Sequence, residues 1–164
     1  AGEIGSRVIL IEKNSNLGKK LLITGKGRCN LANKEDRPRG FIDKFGKNGK
    51  FLFSAFSRFG TDKLIKFFEK KGLKLKIERG NRVFPISDKS QDVINILIRY
   101  LKRSGVDIKT DAKVKKIVKN KKRIEKVVLE SNEEIIANSF IICTGGMSYP
   151  TTGSTGDGYN GLKK

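Results

Sequence analysis

Between Cys143 and Tyr159 the chain gathers five glycines, six serine or threonine hydroxyls, one proline and one carboxylate. The segment reads Cys143-Thr144-Gly145-Gly146-Met147-Ser148-Tyr149-Pro150-Thr151-Thr152-Gly153-Ser154-Thr155-Gly156-Asp157-Gly158-Tyr159. Such a loop brings many backbone N–H groups near a ligand, because glycine has no Cβ to hold the ligand off. A polyanion such as a phosphate ester is the guest it suits. A glycine-rich surface turn that binds nothing is the alternative.

Three smaller constellations stand beside it. Glu12 closes the apolar run Arg7-Val8-Ile9-Leu10-Ile11. An acidic residue at such a strand end accepts hydrogen bonds from ribose hydroxyls in dinucleotide folds, although an ordinary surface glutamate fits the same position. Gly25-Lys26-Gly27-Arg28-Cys29-Asn30 sets two glycines ahead of a guanidinium, a thiol and an amide. Backbone donors and Arg28 there suit a pyrophosphate; a plain glycine turn is the other reading. A packing role is favoured for Cys29, since little nearby would activate its thiol. Glu78-Arg79-Gly80-Asn81-Arg82 reads either as an ion-pair cluster around Glu78 or as a contact for an anionic ligand.

Composition narrows the classes. The 164 residues suffice for one domain with a real core. Histidine is absent, which removes His-based acid–base catalysis and His metal sites, and the carboxylates are scattered, so no metal cluster is expected. Cys29 and Cys143 are expected to be free thiols in a reducing, cytoplasmic compartment. No run approaches the length of a membrane span. The net charge of +19 invites a polyanionic partner, but its lysines are spread out and read mainly as a solvated face. Six phenylalanines lie between Phe41 and Phe59. They read as core, with a base-stacking platform as the sharper alternative.

The elements that must position these groups follow from periodicity. Val8–Ile11 reads as a buried parallel strand. Thr61 is expected to cap a helix ended by Gly72, and Ser87 or Asp88 a longer one ended by Gly105. Leu73–Glu78 and Asn81–Pro85 read as extended pieces. Val106–Thr110 reads as a strand; Lys113–Val118 and Ile124–Leu129 pair across Asn120-Lys121-Lys122; Glu134–Ala137 and Ser139–Cys143 follow. The order implies an α/β fold with a mostly parallel sheet plus an antiparallel β-meander, and folding back would bring Glu12 near Gly145.

Taken together, four segments resemble a known family. They are Val8 to Lys13, Leu17 to Asn33 with its Gly-Arg-Cys-Asn core, Glu78 to Pro85, and Thr144 to Tyr159. In these the chain is similar to bacterial NAD(P)/FAD-dependent oxidoreductases, the aminoacetone-oxidase-like and bile-acid-reductase-like flavoproteins of the two-dinucleotide-fold type. The resemblance implies a partial Rossmann-like FAD-binding domain over residues 1–164. It implies that Glu12 binds the adenosine ribose, and that Lys13 and the loop holding Gly27, Arg28, Cys29 and Asn30 run along the cofactor. Val114 would meet adenine through its backbone. Thr144, Gly145 and Gly146 would pass the adenosine and pyrophosphate, and the loop from Ser148 to Asp157 would approach the flavin. NAD(P)H is the implied reductant and a small molecule the substrate. A basic nucleic-acid-binding module is the rival, though a nucleic-acid partner is not favoured.

One departure matters. The family opens with a strand and a Gly-x-Gly-x-x-Gly turn into a helix, which cradles the pyrophosphate. That opening does not stand ahead of Val8–Ile11, and Ala1 to Ser6 reads as the tail of the helix that would follow it. The chain is therefore expected to be an interior piece of an FAD domain, binding FAD weakly or not at all alone and inactive by itself.

Overall fold

The computed structural model describes residues 1–35, 37–121 and 123–163. Lys122, in the expected turn, lies outside them. The chain divides into two compact units, Ala1–Lys20 with Tyr100–Lys164, and Leu21–Arg99.

In the first unit a 3-10 turn, Gly2–Ile4, ends at Gly5 in the left-handed conformation that glycine adopts freely (φ 82°). Strand β1 (Val8–Ile11) pairs in parallel with β5 (Val106–Lys109), Val8 opposite Val106 and Ile11 opposite Lys109. The meander β6 (Val114–Asn120), β7 (Arg123–Leu129) and β8 (Glu134–Ile136) is antiparallel throughout. Ala112, Val127, Leu129 and Ile135 form its core, with Ile9, Ile11, Ile117 and Phe140 packed against them. Helix α6 (Asp157–Lys163) follows the glycine-rich loop.

The expected strand Ser139–Cys143 does not form. Among the described residues its backbone makes no ladder hydrogen bond, and an extended run without one is not a strand. Ile141 is correspondingly 86% exposed, while Phe140 still reaches the core.

The second unit holds a three-stranded antiparallel sheet of order β2-β4-β3, from β2 (Ala32–Asn33), β3 (Leu75–Glu78) and β4 (Arg82–Pro85). Short helix α1 (Lys19–Ile23) enters this unit, and α4 (Thr61–Lys70) and α5 (Ser90–Arg103) cover the core of Cys29, Phe68, Leu73, Val93 and Ile96. Both long helices are amphipathic, as their periodicity implies. Their starts differ from expectation. The cap of α4 is Gly60, and Thr61, already helical and 6% exposed, makes no cap hydrogen bond. Helix α5 starts at Ser90, whose hydroxyl donates to Leu22 O, while Asp88 is held by Lys76 and Arg28. Gly72 and Gly105 do end the two helices, each with positive φ.

Helices α2 (Pro38–Asp43) and α3 (Gly49–Arg58) correct the expectation of an aromatic core. Phe41 stacks on Phe56 at 4.2 Å, but Phe51 is 89% exposed and Phe45, Phe53 and Phe59 are about half exposed. Two short helices offer one inner face between them, and Ile42, Gly49, Phe41 and Phe56 occupy it. Among the described residues no helix is long and apolar enough to cross a membrane, and no cluster of ligating side chains forms a metal site.

Candidate functional site

Glu12 continues the parallel pair through its backbone. Its N–H donates to Lys109 O at 2.9 Å, and its carbonyl accepts from Ala112 N at 3.0 Å. The side chain is then turned by Asn14, whose backbone N–H and Nδ2 both donate to Glu12 Oε1, at 2.8 and 2.7 Å. Oε2 has no hydrogen-bond partner among the described residues. An oriented carboxylate with one unused oxygen is what recognition of a diol requires.

Lys13, next in sequence, donates from Nζ to Asp157 Oδ2 at 2.6 Å and to Thr155 Oγ1 at 2.7 Å. Thr155 in turn donates to Asp157 Oδ1 at 2.8 Å. These bonds hold the Asp157 carboxyl below its usual range, the Lys13 bond contributing most. The end of β1 is thereby tied to the far end of the glycine-rich loop, across 144 positions.

The loop is built from its own backbone. Tyr149 adopts a left-handed conformation, Pro150–Thr152 make a 3-10 turn, and Gly153 closes it with φ 102°. Gly156 N donates to Gly146 O at 3.1 Å, pinning the two ends together. Several glycines serve this packing rather than a ligand. A Cβ at Gly153 would lie 2.9 Å from Asn14 Nδ2, one at Gly156 2.9 Å from Met147 Cγ, and one at Gly158 2.5 Å from Thr144 Oγ1. Gly146 differs: a Cβ there would meet nothing closer than Tyr159 Oη at 4.0 Å. The N–H groups of Thr144, Gly145 and Gly146 donate to nothing among the described residues. Unspent backbone donors beside a glycine with open space are the arrangement that accepts phosphate oxygens, so these residues fit a dinucleotide. Ser148 lies on the same loop, its hydroxyl and carbonyl engaged by Lys20. Val114 opens β6 opposite Leu129, next to a register irregularity.

In the second unit the segment 25–30 is a tight turn, with Gly25, Lys26, Gly27 and Cys29 all at positive φ. A Cβ at Gly25 would lie 2.9 Å from both Asn30 N and Phe84 Cε1. Cys29 is fully buried in the core, and burial pushes its thiol up. Asn30, with its amide turned so that Nδ2 donates, bridges Ala32 O at 2.9 Å and Val83 O at 3.3 Å. Arg28 Nη1 lies 2.9 Å from Glu78 Oε1 and 3.4 Å from Asp88 Oδ1, and its guanidinium sits 4.0 Å from the Phe84 ring centroid. Lys76 completes the cluster, 2.6 Å from Asp88 and 3.3 Å from Glu78. The ion-pair reading of Glu78 is the one observed, but its cations are Arg28 and Lys76. Arg82 instead donates to the Arg79 carbonyl.

Sequence reasoning missed Asn14, Lys20, Lys76 and Thr155. Asn14 had a local signal, an amide two residues after a strand-end carboxylate. The lysines had none, being indistinguishable from the many solvated ones.

A family model for the HI0933-like protein Rossmann domain matches residues 1–164. Among curated proteins, a 3-dehydro-bile acid delta(4,6)-reductase of Clostridium scindens is 31% identical over 154 residues, 94% of this chain and 36% of its own length. A ribosomal RNA dihydrouridine synthase of Escherichia coli is 28% identical over 97% of this chain and 38% of its own length. The enzyme of that name from Haemophilus influenzae is 23% identical. A flavocytochrome c3 fumarate reductase in an open conformation shares the fold, with TM-score 0.74 and 23% identity over 99% of this chain and 37% of that one. The chain thus spans little more than a third of the length of these relatives. With a parallel β1/β5 pair and a strand-end carboxylate oriented by Asn14, the chain belongs to the HI0933-like protein Rossmann domain family.

Proposed function

We propose that this domain holds FAD in a flavoprotein that carries hydride from NAD(P)H to a small organic acceptor. The observation that carries the reading is the junction of Lys13 with Asp157 and Thr155, which fixes the glycine-rich loop at the end of β1 beside Glu12. Glu12 Oε2 would accept from the adenosine ribose, and Val114 would offer its backbone to adenine. The N–H groups of Thr144, Gly145 and Gly146 would receive pyrophosphate oxygens, and Ser148 to Asp157 would line the flavin side. The Gly27–Asn30 turn is assigned a backbone role, because the Arg28 charge is engaged by Glu78 and Asp88 and the Cys29 thiol is buried. When bound, FAD supplies the hydride relay.

Two of the relatives are named for adding hydrogen to their substrates, a bile-acid reductase and a dihydrouridine synthase. We assign the same class here: an acceptor with a carbon–carbon double bond. NAD(P)H is oxidised, the π bond is consumed, one carbon gains a hydride and the other a proton. Two free cysteines fit a cytoplasmic setting. The full-length protein should purify with flavin absorbance that bleaches anaerobically with NADH or NADPH and returns on addition of the acceptor. Folded protein without a flavin site would end this reading.

A second reading has one observation in its favour. On α3, exposed Phe51 shares a face with Arg58, seven residues on, and exposed Phe53 with Lys50, three residues back. Rings interleaved with cations suit stacked bases and phosphates. RNA affinity that falls steeply with salt and drops in Phe51→Ala would support it; no affinity at low salt would remove it.

A further inference from the structure

Lys20 makes three hydrogen bonds and, among the described residues, no ion pair. Its Nζ donates to Ser154 Oγ at 2.9 Å, to Ser148 Oγ at 3.0 Å and to Ser148 O at 3.1 Å. Lys13, which bonds the same loop from the end of β1, is neutralised by Asp157. An ammonium has three protons, and at Lys20 all three go to neutral oxygens, which orient the charge without cancelling it. Ser154 is only 4% exposed, so its hydroxyl depends on this donor. It also borders the phosphate-facing backbone, since a Cβ at Gly145 would lie 3.2 Å from Ser154 Oγ.

We infer that Lys20 is a positioning residue for the glycine-rich loop and the source of that loop's uncompensated positive charge, set there for an anionic dinucleotide. The inference rests on the FAD reading above and adds a residue to it. Lys20 reaches from α1, a hydrogen-bonded turn, and holds both flanks of the Tyr149–Gly153 excursion. Losing it frees Ser148 and strands a buried hydroxyl at Ser154, so the loop opens more often. It also removes a positive charge whose attraction for an anion salt screens.

The test compares Lys20→Met, Lys20→Arg and a neighbouring control, Lys19→Met, in the full-length protein. Without cofactor, amide hydrogen exchange over residues 147–155 should quicken in Lys20→Met and Ser148→Ala, and not in Lys19→Met. FAD titration should show a Kd about tenfold higher for Lys20→Met, within about threefold of wild type for Lys20→Arg, with a flatter salt dependence in the Met variant alone. Unchanged exchange in Lys20→Met and Ser148→Ala overturns the positioning role. Faster exchange with unaltered FAD affinity and salt slope overturns the link to the cofactor. Wild-type protein that is folded yet binds no FAD overturns the reading on which the inference rests, and the exchange data then report on the loop alone. If Lys20→Met does not fold, Ser148→Ala and Lys20→Arg carry the same comparison.

Discussion

Lys13 Nζ and Asp157 Oδ2 lie 2.6 Å apart although 144 positions separate them in the chain. One side chain extends from the end of the first strand, the other from the first turn of the last helix. Between them they close the glycine-rich loop against the β1/β5 pair.

Asp157→Asn should loosen that closure. The pair is partly exposed, so the cost in stability is about 1 kcal/mol at most. Asp157 is depressed below its usual 3.8, chiefly by the Lys13 bond and then by Thr155. The stabilisation is therefore complete above that usual value and lost as pH falls through the lower folded one. Urea midpoints of wild type and Asp157→Asn should differ at neutral pH and converge as pH falls through the lowered Asp157 value.

Gly153→Ala should cost more than Gly5→Ala. Both glycines have positive φ, so each substitution carries a left-handed penalty of roughly 1 to 2 kcal/mol. Only at Gly153 would the added Cβ also meet side chains, Asn14 Nδ2 at 2.9 Å and Lys13 Cε at 3.2 Å; at Gly5 nothing lies within 4 Å. Equal losses by chemical denaturation would contradict this packing.

Arg28→Met should destabilise the second unit at neutral pH and less so in acid. The Glu78 carboxyl is held low mainly by Arg28, and Asp88 mainly by Lys76. Both depressed carboxyls contribute above their usual values and lose that contribution as they protonate. The gap between wild-type and Arg28→Met midpoints should narrow as pH falls. A constant gap would mean that the Phe84 contact, not the ion pairs, is what Arg28 supplies.

The two thiols should react separately. Cys143 is exposed, whereas Cys29 is fully buried and its thiol is pushed up by burial, an effect its Thr24 hydrogen bond only opposes. A thiol reagent should modify Cys143 in the native protein and Cys29 only after denaturant is added. Rapid double modification would place Cys29 outside the core.

Local pattern along the chain encodes much of this fold. The apolar run Val8–Ile11, the meander's alternation, the helical faces of α4 and α5, and the glycines at 5, 72 and 105 follow from periodicity and backbone preference, which act over a few residues. The glycine-rich loop and the Gly-Arg-Cys-Asn turn were equally legible, because few residue types tolerate such backbone paths. Tertiary structure decided the rest. Nothing local marks Lys13 and Lys20 as loop clips among so many lysines, or Arg28 as the partner of Glu78 ahead of the nearer Arg79; those pairings depend on where distant backbone comes to lie. The same holds for Ser139–Cys143, which has a strand's composition but no ladder neighbour, and for Phe51, apolar yet left in solvent because the α2–α3 pair has only one inner face to fill.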